Sequence, residues 1–161
     1  MRDRPAVFLG VALAMAFNHA MCSADGNASG SGESDVTTQQ VDTMKIRLMV
    51  NGKAMTATLI DGGTTHDFIS LLPLTLTMND LFEREKFAHL PRAISTEGKR
   101  THAYEVGDVA YWAPGPDVAV FYRQDGEKIP APGIIVIGKI DSGVEELDVP
   151  GSVRVTFERL E

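Results

Sequence analysis

The chain has a single cysteine, Cys22, so no disulfide can form within it, and its stability must come from packing and hydrogen bonds. Lysine and arginine form no run. Residues 1–24 contribute a net +1 (Arg2, Arg4, Asp3), so the chain total of −7 leaves −8 for the rest. An acidic domain without basic clusters argues against nucleic acid and anionic membrane surfaces as partners, and neither is expected. No apolar run approaches the roughly 20 residues of a membrane-spanning helix, and none is expected in a mature chain. His66, His89 and His102 have no metal-ligand spacing such as H-x₃-H, so neither a metal nor a cofactor is expected. No G-x-S-x-G motif is present to signal a serine nucleophile. Aromatic residues are scarce, at 7%.

Two arginines followed by the apolar run Ala6 to Phe17 and a small-residue stretch form the three-part pattern of a secretory signal. Cleavage after Ala24 would place Cys22 and Ala24 at the −3 and −1 positions and release a soluble protein. Alternatively, Cys22 becomes a lipid-modified N-terminus, although Met21 departs from the small residue that such processing favours. Either route predicts an extracytoplasmic location, periplasmic or secreted. Residues 25–43 are almost entirely small and polar and cannot bury enough apolar surface to offset the entropy of ordering, which predicts a flexible linker. The folded domain is therefore expected over 44–161, about the size of one ordinary domain.

From Met44 the period is mostly that of strands. Ile46, Leu48 and Val50 alternate with polar neighbours, Asn51-Gly52 suits a type I′ hairpin, and Met55, Ala57 and Leu59 share a face on the return. Thr64 and Asp67 have capping-box spacing, which predicts a short helix beginning at Thr64 and stopped by Pro73. The run LTLTM at 74–78 alternates again, and a strand is expected near Phe87 to Leu90. Further β-rich runs are VGDVAYW, DVAVFY and GIIVIGKI; VEELD allows one helical turn, and SVRVTFERL closes the domain with Val153, Val155 and Phe157 inward. Seven or eight strands, one or two short helices and no βαβ rhythm predict a mostly β fold, an antiparallel barrel or sandwich. Asp61 to Thr65 also resembles the phosphate loop of sugar kinases. Those enzymes need two large lobes that this chain cannot house.

The scarce aromatics concentrate in one place. GDVAYWAPGPDVAVFYR, residues 107–123, holds Trp112, the only tryptophan, with Tyr111, Phe121 and Tyr122. Three readings fit: core and edge packing, an exposed aromatic wall with Arg123 at its rim, or a contact in an oligomer.

That stretch, followed by GIIVIGKIDSGVEEL, resembles the C-terminal half of a cyclophilin barrel, and is more similar still to the small bacterial cyclophilin-like proteins. Residues 44–78 match the opening hairpin, helix and strand of the same family. The resemblance implies a closed cyclophilin-like antiparallel β-barrel. It places Tyr122 at the position that lines the proline pocket, with Phe121 packed inside, and Tyr111 and Trp112 on the flanking strand. It also implies a small molecule or a proline-containing peptide as ligand. The FHR and QGGD motifs of the isomerases are missing: Arg84 and Arg92 lack that context, and no glutamine lies between Gln40 and Gln124. The implied function is a noncatalytic ligand-binding module whose site is Tyr111, Trp112, Tyr122 and Arg123. A weak prolyl isomerase is the alternative.

Overall fold

The computed structural model describes residues 43–160; the signal sequence, its cleavage and lipidation residues and nearly all of the linker lie outside them. The described residues form nine strands: β1 (Lys45–Val50), β2 (Lys53–Leu59), β3 (Leu74–Leu81), β4 (Glu85–His89), β5 (Arg100–Thr101), β6 (Asp108–Trp112), β7 (Asp117–Phe121), β8 (Ile134–Ser142) and β9 (Val153–Arg159). One helix, α1 (Gly63–Ile69), and one 3₁₀ turn (Val144–Leu147) complete the element order.

All pairings are antiparallel, in the order β2-β1-β9-β3-β4-β7-β6-β8, and β2 pairs back onto β8 to close an eight-stranded barrel; β5 extends β8 outside that ring. Closure abolishes the free sheet edge that an open sheet of this size would expose. The closing seam depends on Gly138: a Cβ there would lie 2.6 Å from Leu59 Cδ2 and 2.8 Å from the Thr58 carbonyl oxygen. Register shifts at Thr56/Ala57 and Val109/Ala110, both against β8, bend the strands where the ring must turn.

The first hairpin follows from its sequence. Asn51 and Gly52 take φ of 49° and 80°, the left-handed pair that a type I′ turn requires. Alternation then puts Ile46, Leu48 and Val50 inside the barrel with Met55, Ala57 and Leu59, and β9 adds Val153, Val155 and Phe157. Phe68 of α1 packs edge-on against Phe157 at 5.6 Å between ring centroids, so the helix is held by the barrel core.

The start of α1 corrects the capping-box expectation. The helix begins one residue earlier, at Gly63, with Gly62 as its cap and no side-chain cap bond. Thr64 is therefore a first-turn residue, buried, with no hydrogen-bond partner for its hydroxyl among the described residues. Asp67 turns outward to accept the Ser95 backbone N–H at 2.7 Å, pinning the 91–99 loop.

A second apolar cluster lies on the outer face of the barrel. It comprises Ala110, Ala119, Phe121 and Ile134 from the strands, with Tyr104 and Ile129 from the connecting segments folded over them. Phe121 packs here, stacked on Tyr104 at 4.2 Å, while Tyr122 belongs to the inner cluster. The expectation of Phe121 inside and Tyr122 on the groove is thus reversed, because the overlying segment supplies an aromatic partner for the outward residue.

Candidate functional site

Strands β4, β6, β7 and β8 present Phe87, Trp112, Ala119 and Ile134 outward. The β3–β4 turn (Leu81, Phe82, Arg84) and the loop residues Ile129 and Pro130 stand around them, enclosing a groove of about 220 Å³. Three ionisable side chains reach it: Arg84, Glu85 and Asp117.

The walls are fixed by a small hydrogen-bond network. The Tyr104 hydroxyl donates to Asp125 Oδ1 at 2.5 Å, and Gln124 Nε2 donates to the Tyr104 carbonyl at 2.8 Å. Ile129 N–H donates to the His102 carbonyl at 2.9 Å, and His102 Nδ1 lies 2.8 Å from the Ile129 carbonyl. These bonds hold the 122–130 loop against the barrel.

Arg84 is the hub of that wall. Its guanidinium donates to Glu85 Oε1 at 3.4 Å through two nitrogens and to Asp125 Oδ2 at 3.2 Å, and it lies 5.1 Å from the Phe82 ring and 5.4 Å from the Tyr104 ring. Desolvation works against its charge, but Glu85 and Asp125 outweigh that and raise its pKa. Glu85 shows the opposite balance: burial raises its carboxyl above the usual range despite the pull of Arg84. Burial raises Asp117 too, against the attraction of His89.

The turn carrying Phe82 is strained. Phe82 and Glu83 hold φ of 55° and 53°, a left-handed pair natural to Asn-Gly and unfavourable for residues with a full side chain. The outcome is a phenylalanine 70% exposed at the groove rim.

The four residues singled out from the sequence do not come together. Tyr111 is inside the barrel, 1% exposed, its hydroxyl accepting the Ile94 N–H at 3.3 Å. Trp112 lines the groove. Tyr122 and Arg123 line a different cleft of about 360 Å³, with Asp80, Glu83 and Asp148. There the Tyr122 hydroxyl donates to Asp80 Oδ2 at 2.6 Å, and Arg123 bonds both oxygens of Asp148 at 2.8 and 2.9 Å. Behind them sits Lys86, fully buried, donating to Asp80 Oδ2 at 2.5 Å and to the carbonyls of Val149 and Gly151 at 2.6 and 2.7 Å. Burial and the Asp80 bond raise the Tyr122 pKa, whereas Asp80 is lowered because Lys86 and Tyr122 outweigh its desolvation.

Sequence reasoning set Arg84 aside for want of the isomerase context and passed over Glu85, Phe87 and Asp117. The signal was within reach once Glu85–His89 is accepted as a strand, because Glu85, Phe87 and His89 must then share the outward face. Arg92 is not in the groove; it bonds Ser70 Oγ at 2.8 Å beside α1.

A closed barrel of eight antiparallel strands with one short helix and this outer groove defines the class, a cyclophilin-type barrel. Within that class, the family model described as "Cyclophilin-like family" matches residues 48–158, and the chain belongs to that family. Among solved structures, the solution structure of the hypothetical protein AF2241 from Archaeoglobus fulgidus is similar, with a TM-score of 0.58 and 23% identity. The match covers 73% of this chain and 95% of that one, and at this identity it speaks to the fold. No curated protein matches the chain.

Proposed function

We propose that the chain is an exported, noncatalytic cyclophilin-like module that binds a small ligand or an extended peptide in the outer groove. The observation that carries this reading is the groove itself, an apolar floor containing the half-buried Trp112 and walled by loops that the Tyr104 network holds in place. A second support is the strained, exposed Phe82 at the rim, since backbone strain persists where the surrounding structure or function demands it. Export rests on the signal-like residues 1–24. The site differs from the one expected on sequence grounds: Trp112 remains, Tyr111 is structural, and Tyr122 and Arg123 belong to the neighbouring cleft.

The isomerase alternative gains one observation, the presence of Arg84 at the groove wall. Twisting a prolyl amide has an uncatalysed barrier of about 18–20 kcal/mol, and lowering it requires a cation aimed at the amide. Three of the Arg84 nitrogens already hold carboxylates, which argues for a structural guanidinium.

One pair of measurements separates the two readings. The tetrapeptide Ala-Ala-Pro-Phe is titrated against Trp112 fluorescence, and its cis–trans interconversion is followed with and without protein. Binding without acceleration is expected. Acceleration that Arg84→Ala abolishes would establish the enzyme instead.

A further inference from the structure

The charge arrangement of the groove specifies the ligand more narrowly, and the inference rests on the reading of the groove as a binding site. Its lining carries two carboxyls, Glu85 and Asp117, against one guanidinium. The guanidinium of Arg84 is held by Glu85 and by Asp125, leaving Asp117 as the groove carboxyl that no arginine or lysine among the described residues pairs with.

Asp117 is 8% exposed, and among the described residues its Oδ1 accepts no well-aligned hydrogen bond. His89 Nδ1 stands in ion-pair contact with that oxygen, but the same nitrogen is 2.8 Å from the Gly115 carbonyl. The one proton that Nδ1 can carry is thus shared between Asp117 and the Gly115 carbonyl, so Asp117 has no donor to itself. A buried carboxylate whose nearest donor is a shared imidazole N–H is expensive to maintain, and a further donor entering from the groove would relieve that cost.

Trp112 is the cross-strand partner of Asp117, so both side chains stand side by side on the outer face. An aromatic face next to an underpaired carboxylate is the pairing that receives an ammonium group: the carboxylate supplies the counter-charge and the indole supplies cation–π attraction. Phe87 and Ile134 then offer an apolar surface for the rest of the molecule.

We infer that the groove takes an apolar molecule bearing an ammonium group, with Asp117 as its counter-ion and Trp112 as its aromatic face. Anionic ligands are disfavoured by the same two carboxyls. Neutral apolar ligands gain the floor but bring Asp117 no charged donor beyond its contact with His89.

The test compares 2-phenylethylammonium with 2-phenylethanol, which replaces the ammonium by a hydroxyl, on the full chain. Trp112 fluorescence and the NMR shift of its indole N–H report binding. The ammonium compound is expected to bind about tenfold more tightly than the alcohol, and Asp117→Asn is expected to remove the difference while leaving alcohol binding in place. Glu158→Gln, on β9 and outside the groove lining, serves as the control carboxyl and should retain the preference. Equal affinity of the two compounds for the unmodified chain overturns the inference while leaving the groove as a binding site. Silence of Trp112 toward both overturns the groove reading as well. Neither of these two outcomes depends on a variant folding.

Discussion

Glu85 and Lys86 are adjacent in sequence and leave β4 in opposite directions, and their surroundings differ in kind. Lys86, facing inward, has a carboxylate and two carbonyls for its three protons, and its buried charge ties the 149–151 loop to the barrel. Glu85, facing outward, shares one arginine with Asp125, and Asp117 further along the same face is poorer still in donors. The inner charge is saturated and reads as structure. The outer carboxyls are less well supplied, and that deficit is the basis on which the groove is proposed to receive a partner.

The largest effects should come from the saturated side and from the cluster beneath the groove. Lys86→Met strands Asp80 and two carbonyls and should lower stability by about 3 kcal/mol in denaturant unfolding. Part of that loss should return in the double variant with Asp80→Asn; full additivity would mean that the two side chains are not coupled. Phe121→Ala removes the ring stacked on Tyr104 and should cost about 3–5 kcal/mol, although Phe121 packs outside the barrel. A loss below about 1 kcal/mol would show that the outer cluster is an accessory to the fold and would erase the contrast with the inner core.

The contrast also explains what the sequence made legible. Strands β1, β2 and β9 face a core on one side and water on the other, and their alternation is plain. Strand β4 is covered on both sides, with Lys86 and Ala88 inward and Glu85 and Phe87 toward the groove, so charge and apolar character mix on each face and no period emerges. The groove residues of β4 were hidden for that reason. The aromatic stretch 107–123 marked the right neighbourhood through Trp112. Which of Phe121 and Tyr122 faced outward was not evident because the covering segment, the one carrying Tyr104 just before the aromatic stretch, has no regular structure of its own.

A gain of intermediate size is expected at the rim. Replacing Phe82-Glu83 by Asn-Gly gives the turn its preferred residues and should raise stability by about 1–2 kcal/mol while weakening binding in the groove. A variant that binds as well as the parent would remove Phe82 from the site and leave its strain without a functional explanation.

The smallest expected effect tests the undersupplied carboxyls directly, through pH. Burial raises the Asp117 pKa above its ordinary 3.8 despite His89, so between those two values the folded chain holds a proton that the unfolded chain has lost. Folded-state proton binding in excess makes stability fall as pH rises through that window, and the penalty is complete above the folded pKa. Asp80, lowered by Lys86 and Tyr122, has the opposite sign: its contribution is present above 3.8 and disappears as pH falls through its folded value. Asp117→Asn should therefore stabilise the chain at pH 7 and lose that advantage near pH 3, whereas Asp80→Asn should destabilise at pH 7 and matter less near pH 3. His89 and Glu85 are the other titratable groups near Asp117, so the measurement is repeated with His89→Gln and with Glu85→Gln as backgrounds. If Asp117→Asn destabilises at neutral pH in all three backgrounds, the carboxylate is serving the fold, and the outer face loses its distinction from the saturated site behind Lys86.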